Sequence, residues 1–222
     1  MLVPVIFSIA VALAAWIKKL NSVIILFLVV SCGLVFYYFG FAPLYPPLAY
    51  TTFAMYSITY GRKRVEKATP SQLLLGSLPH FLLIGFLGPV GLTSLSPIGT
   101  RRVLIAALSA FIEEAFFRDT MLNELERKLS KYGGVLSSIL FALFNMPLDT
   151  LFLAVPLLPS YFILGETLRK CYYKRGWAGA ALLHFIYNVL GYLYIVPSEV
   201  STWLAIWAVH LVMYLLAYFL FE

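Results

Sequence analysis

A chain of 222 residues that is 62% hydrophobic and 12% charged lies far outside the soluble globular range, where about a quarter of residues are charged. This composition excludes an ordinary soluble enzyme and describes a multi-pass integral membrane protein with the lipid bilayer as its main partner. The formal charge of +6 is split among loops and forms no groove with interleaved aromatics, so no nucleic-acid partner is expected.

In chain order, the apolar segments are 2–17, 23–41, 43–60, 73–92, 103–122, 135–146, 151–168, 178–195 and 203–221. The first resembles a secretory signal, but no positive charge precedes it and Lys18-Lys19 follow it, so it reads as a retained span. The third is short after Pro46-Pro47, and the sixth is too short to cross roughly 30 Å without tilt or thinning. The fold class expected is therefore all-α: a polytopic transmembrane bundle of about 8 to 9 membrane segments. With the N-terminus outside, all basic residues except Arg101, Arg102 and Arg118 fall on the cytoplasmic side, as the positive-inside rule asks. The two cysteines, Cys32 in an apolar run and Cys171 in the basic loop expected to start at Arg169, suggest neither a disulfide framework nor a thiolate metal site.

The fifth segment carries what membranes ordinarily exclude, Glu113-Glu114-Ala115-Phe116-Phe117-Arg118. Glu114 and Arg118 are four apart and pair on one helix face, whereas Glu113 points about 100° away and is left free. On the eighth segment His184 and Asn188 are also four apart and project into one cavity. On the sixth, Asn145 follows Phe141 at the same spacing, and Glu166 closes the seventh beside the basic loop. Taken singly, the amides read as interhelical hydrogen-bond glue and the histidine as a core residue. Glue does not need an unpaired carboxylate, so the set reads as a site.

These residues resemble the ordered motifs of the CAAX protease and bacteriocin-processing family (CPBP, or Abi) of intramembrane endopeptidases, the type II CAAX prenyl endopeptidases included. That pattern is EExxxR, FxxxH and HxxxN; here it stands as Glu113-Glu114-x-x-x-Arg118, Phe141-x-x-x-Asn145 and His184-x-x-x-Asn188. The stretch from Ile163-Leu164-Gly165-Glu166 through Gly176-Trp177 to His184 is similar to the family's connection between its last two core helices. The resemblance implies a catalytic core at 101–195 with its active-site cavity among the C-terminal core helices, accessory transmembrane segments at 1–100 and a final transmembrane helix at 196–222. It implies that Glu113 activates water, that Glu114 and Arg118 are the supporting ion pair, and that His184 and Asn188 bind the developing oxyanion. Asn145 departs from the pattern by occupying the second-motif histidine's place, and an amide cannot exchange protons near neutral pH.

Peptide hydrolysis by such a set needs an activated water, oxyanion donors and shelter from solvent. Zinc, the alternative cofactor, ordinarily takes several His, Cys or carboxylate ligands; the core offers one histidine, there is no HExxH, and His80 and His210 lie alone on other segments. A metal-independent glutamate mechanism is therefore preferred, with no cofactor. Expected substrates are membrane-embedded or lipidated peptides, prenylated CAAX-type or small secreted ones, in a prokaryotic cytoplasmic membrane. The competing classes are a catalytically inactive relative that binds membrane proteins, for which the lost histidine speaks, and a transporter, against which the absence of visible inverted repeats speaks.

Overall fold

The computed structural model describes residues 19–61, 70–91, 99–146, 155–193 and 200–221, and every described element is helical. The elements are α1 (Asn21–Tyr38), a 3₁₀ turn (Ala42–Leu44), α2 (Tyr45–Tyr60), α3 (Pro70–Gly91), α4 (Thr100–Glu114), a π-helical stretch (Ala115–Leu122), α5 (Asn123–Leu129), α6 (Lys131–Phe144), a second 3₁₀ turn (Val155–Leu157), α7 (Leu158–Gly191) and α8 (Val200–Phe221). The first apolar segment, at 2–17, and the basic residues Lys18, Arg62, Lys63, Arg64 and Lys67 lie outside the described residues.

Two described helices, α1 and α8, are long and apolar enough to cross a membrane by length and composition. Three of the other expected segments fall short for reasons written in their sequence. At 16 and 14 residues, α2 and α6 rise only about 24 and 21 Å. The run from α4 into the π stretch carries Glu113, Glu114, Arg118 and Asp119, all buried, so its polar groups are satisfied by protein instead of lipid.

The basic loop expected to start at Arg169 is a correction. The helix runs on through Arg175 before the backbone turns at Gly176, whose φ of 67° is the left-handed conformation that favours glycine. Local pairing explains the extra turns: Arg169 Nε donates to Glu166 Oε1 at 3.1 Å, three residues back, and Cys171 and Tyr172 are buried in the core. Thus α7 is two helices joined at a bend.

The bundle is organised around α7, which packs against α3, α4, α6 and α8, while α2 covers the π stretch. Phe53 of α2 stacks on Phe116 with ring centroids 4.0 Å apart, and Phe117 stands edge-on to Phe141 of α6 at 5.4 Å. These aromatic contacts fix the first two motif segments against each other. The third is fixed by a close backbone approach: a Cβ added at Gly76 of α3 would lie 2.8 Å from the Leu183 carbonyl, one residue before His184.

The π stretch sets the register. A wider i→i+5 turn leaves carbonyls poorly satisfied, and side chains take them up: Thr120 Oγ1 donates to the Ala115 carbonyl at 3.0 Å, and Asn123 Nδ2 to the Asp119 carbonyl at 2.8 Å. All residues from Phe116 to Leu122 are buried. The insertion starts directly after Glu114, where the two glutamates must be aimed apart.

Candidate active site

Adjacent in sequence, Glu113 and Glu114 have opposite surroundings. Glu114 is fully enclosed: Arg118 Nε donates to its Oε2 at 3.1 Å, and His184 Nδ1 lies 3.0 Å from Oε1. Arg118 is itself fully buried. Its Nη1 donates to Ser137 Oγ at 3.3 Å, that hydroxyl donates to the Phe117 carbonyl at 3.1 Å, and its guanidinium lies over the Phe141 ring, 4.7 Å from the centroid. The charge is thus balanced by an ion pair, a hydrogen-bond chain and a ring face.

This arrangement also fixes a tautomer. A carboxylate paired to Arg118 only accepts, so His184 Nδ1 carries the proton given to Glu114, and Nε2 of the neutral ring is an acceptor.

Glu113 is 3% exposed and its hydrogen-bond partners among the described residues are neutral. Tyr50 of α2 donates its hydroxyl to Oε1 at 3.0 Å, and Asn145 Nδ2 donates to Oε2 at 3.4 Å while also giving a 3.0 Å bond to the Phe141 carbonyl. One donor per oxygen fixes the carboxylate plane and leaves further lone pairs for a water.

Glu113, Tyr50 and Asn145 form a wall shared by two cavities. One, of about 430 Å³, is largely apolar and aromatic, lined by Tyr37, Tyr45, Pro46, Phe144 and Met146. The other, of about 400 Å³, is mixed, with His80, Ser109, Ser160, Asn188 and His210 beside Leu83, Leu157 and Ile206. Among the expected site residues, Glu113 and Asn145 are therefore in contact and Asn188 lines the same mixed cavity. His184 lies behind Glu113, against Glu114.

Two features escaped the sequence reading. Tyr50 sits 63 residues before Glu113 in a segment assigned an accessory role, and nothing local in the sequence marks it. His80 and His210, expected to lie alone, flank one ring: His210 Nε2 is 2.7 Å from the Tyr187 hydroxyl, and the His80 ring lies tilted with its centroid 4.7 Å from that of Tyr187. Because His210 Nδ1 donates to the Ile206 carbonyl at 2.7 Å, its Nε2 accepts from Tyr187. Tyr187 precedes Asn188, so this cluster continues the polar wall.

Among the described residues no group of three or more His, Cys, Asp or Glu stands close enough to hold a metal ion.

Residues 97–190 match the family model described as type II CAAX prenyl endopeptidase Rce1-like. Over that segment, which is less than half of the chain, the protein is similar to the Rce1-like family. The Rce1-like segment contains Glu113, Glu114, Arg118, Asn145, His184 and Asn188, and leaves out Tyr50, His80 and His210, which reach the site from α2, α3 and α8. That family is one of membrane-embedded endopeptidases, so protease and hydrolase describe the class that this segment resembles. No curated protein and no solved structure matches the chain.

Proposed function

We propose that this protein is an intramembrane endopeptidase in which Glu113 activates water against a peptide bond of a membrane-embedded or lipidated substrate. A single observation carries this reading: Glu113 is a sheltered carboxylate, held by neutral donors at a wall shared by two cavities, while its neighbour Glu114 is spent on Arg118 and His184. A buried carboxylate used only for structure would be paired like Glu114.

In the proposed reaction Glu113 takes a proton from water, and the hydroxide oxygen forms a bond to the scissile carbonyl carbon. The C–O π electrons move to oxygen, giving a tetrahedral oxyanion that the Asn188 amide, which lines the cavity, would stabilise. Collapse breaks the C–N bond, and Glu113 returns its proton to the leaving amine. Asn145 takes no proton; it orients Glu113 and its water, as does the Tyr50 hydroxyl. The aromatic cavity suits a hydrophobic side chain or lipid, and the one that holds Asn188 offers hydrogen-bonding groups to peptide backbone. No step passes through a metal.

The replacement of the second-motif histidine by Asn145 supports one other reading, an inactive relative that binds such peptides without cutting them. The deciding experiment is hydrolysis of prenylated and transmembrane peptides by the purified full chain in detergent, beside Glu113→Gln. Cleavage that vanishes in the variant supports catalysis, whereas equal cleavage by both proteins removes Glu113 from the reaction. Peptide binding without cleavage in either protein favours the inactive relative.

A further inference from the structure

Tyr187, one residue before Asn188 on α7, is flanked by two helices that lie outside the matched segment. Its hydroxyl is 2.7 Å from His210 Nε2 of α8, and the His80 ring of α3 lies tilted beside it with centroids 4.7 Å apart. His210 fixes the direction of that hydrogen bond. Its Nδ1 is 2.7 Å from the Ile206 carbonyl, which only accepts, so Nδ1 carries a proton. The ring is 2% exposed, and its hydrogen-bond partners among the described residues are a carbonyl and a phenol, with no carboxylate to balance a second proton. Nε2 is therefore an acceptor, and the Tyr187 hydroxyl gives its only proton to that bond.

A phenol committed in this way offers a ligand only the lone-pair side of its oxygen. Asn188, which lines the same cavity as Tyr187 and Glu113, offers amide N–H groups. Successive helical side chains diverge by about 100°, so the two groups stand side by side instead of converging on one atom. One acceptor beside one donor matches one edge of an extended peptide, where the N–H and C=O of a single residue point the same way. Resting on the hydrolytic reading of the site, we infer that Tyr187 is a substrate-binding residue: while Asn188 donates to the scissile carbonyl, the Tyr187 oxygen accepts the N–H of the residue that carries it. His210 is the positioning residue that makes the phenol an acceptor. The substrate class that follows is a segment bound in extended form with a free backbone N–H at the cleaved residue. Proline there lacks the donor and is disfavoured.

An amide-to-ester scan of the ligand tests this. Replacing one backbone N–H at a time by an ester oxygen in a synthetic prenylated peptide removes a donor and keeps the shape of the chain. Affinities are measured by fluorescence anisotropy on the full chain in detergent, in a Glu113→Gln background that keeps the ligand uncut. The unaltered protein is used to map the cleaved bond by mass spectrometry. The expected result is a loss of about 3- to 10-fold in affinity at the residue whose carbonyl is cleaved, the scale of one neutral hydrogen bond. With Tyr187→Phe added, the parent peptide should bind more weakly by a similar factor, and the ester penalty at that residue should vanish while penalties elsewhere persist. With His210→Leu added, that penalty should shrink, because the phenol is then free to turn its proton toward the ligand. A penalty that survives Tyr187→Phe overturns the inference. Its absence at the cleaved residue in the Tyr187-containing protein overturns it too, and that measurement needs no Tyr187 variant to fold. A full penalty in His210→Leu removes His210 from the positioning role. Cleavage without any Tyr187-dependent position leaves hydrolysis standing and this inference lost, whereas a Tyr187-dependent position without cleavage counts against hydrolysis alone.

Discussion

The surroundings of Glu113 and Glu114 form two regions of contrasting design within one helical turn. Around Glu114 both carboxylate oxygens are engaged inside the protein, by a buried guanidinium that also reaches a hydroxyl and by an imidazole. Around Glu113 the same functional group meets two neutral donors and open volume. A closed charge network resists removal of any member, because the survivors are stranded in a low-dielectric interior. A carboxylate facing a cavity can change protonation state or bind water with little disturbance to packing. The difference between a structural and a reactive glutamate therefore lies in what surrounds each one, and the predictions below attack that difference.

The largest expected effect is on turnover. Glu113→Gln keeps the shape and one of the two accepted hydrogen bonds but removes the base, so kcat should fall by about 10² to 10⁴, the usual contribution of a positioned acid/base group. Folded yield in detergent, measured by monodisperse size-exclusion recovery, should stay at the level of the unaltered protein. A comparable loss of yield would erase the contrast with Glu114.

Glu114→Gln should act on the fold. It leaves Arg118 buried and uncompensated, a situation that costs about 3 to 5 kcal/mol, so folded recovery and thermal midpoint should both drop. Arg118→Met should be the milder change, because Glu114 would keep His184 as a partner. Normal stability of Glu114→Gln would mean that the ion pair contributes nothing, and the division of labour would fail on its structural side.

Tyr50→Phe probes the reactive side more gently. Removing a hydrogen bond to a charged group costs about 1.5 to 3 kcal/mol, so kcat should fall roughly 10- to 100-fold if Tyr50 holds Glu113 in its working orientation. A positioning role predicts that KM stays level and that the pH profile of kcat moves, since the lost bond stabilises the ionised carboxylate. A rise in KM alone would make Tyr50 a substrate contact.

Much of this was legible in the sequence because the relevant information is local. The i, i+4 spacing of Glu114 and Arg118 carries their pairing, and the motif order puts Glu113, Asn145 and Asn188 on segments that meet at one wall. Three things were not legible. The Tyr50 contact joins residues 63 apart, so it depends on how α2 docks through Phe53 and Phe116. The convergence of His80 and His210 on Tyr187 depends on α3 and α8 both flanking α7. The π stretch carries no residue pattern that distinguishes it from an ordinary turn, and its side-chain bonds from Thr120 and Asn123 are visible only after folding. The helical continuation through Arg175 was hidden by its charges, which read as a loop until their pairing partners are seen.

The smallest expected effect comes from returning Asn145 to the residue type of the motif. The amide now donates weakly to Glu113 at 3.4 Å and more firmly to its own helix at the Phe141 carbonyl, so it orients without exchanging a proton. An imidazole at this place could share the proton that Glu113 takes from water, and Asn145→His should raise kcat by about tenfold, near the lower end of what such groups supply. The same imidazole would stand near Glu113 and could complete a metal ligand set that the described residues now lack, so rates are measured with and without chelator. A chelator-sensitive gain would assign the missing histidine a ligand's role, and a chelator-insensitive gain a proton-transfer role. Loss of activity on substitution would show that the Glu113 environment is tuned to an amide. That outcome would sharpen the contrast with Glu114, because the reactive side would then depend on neutral donors by design.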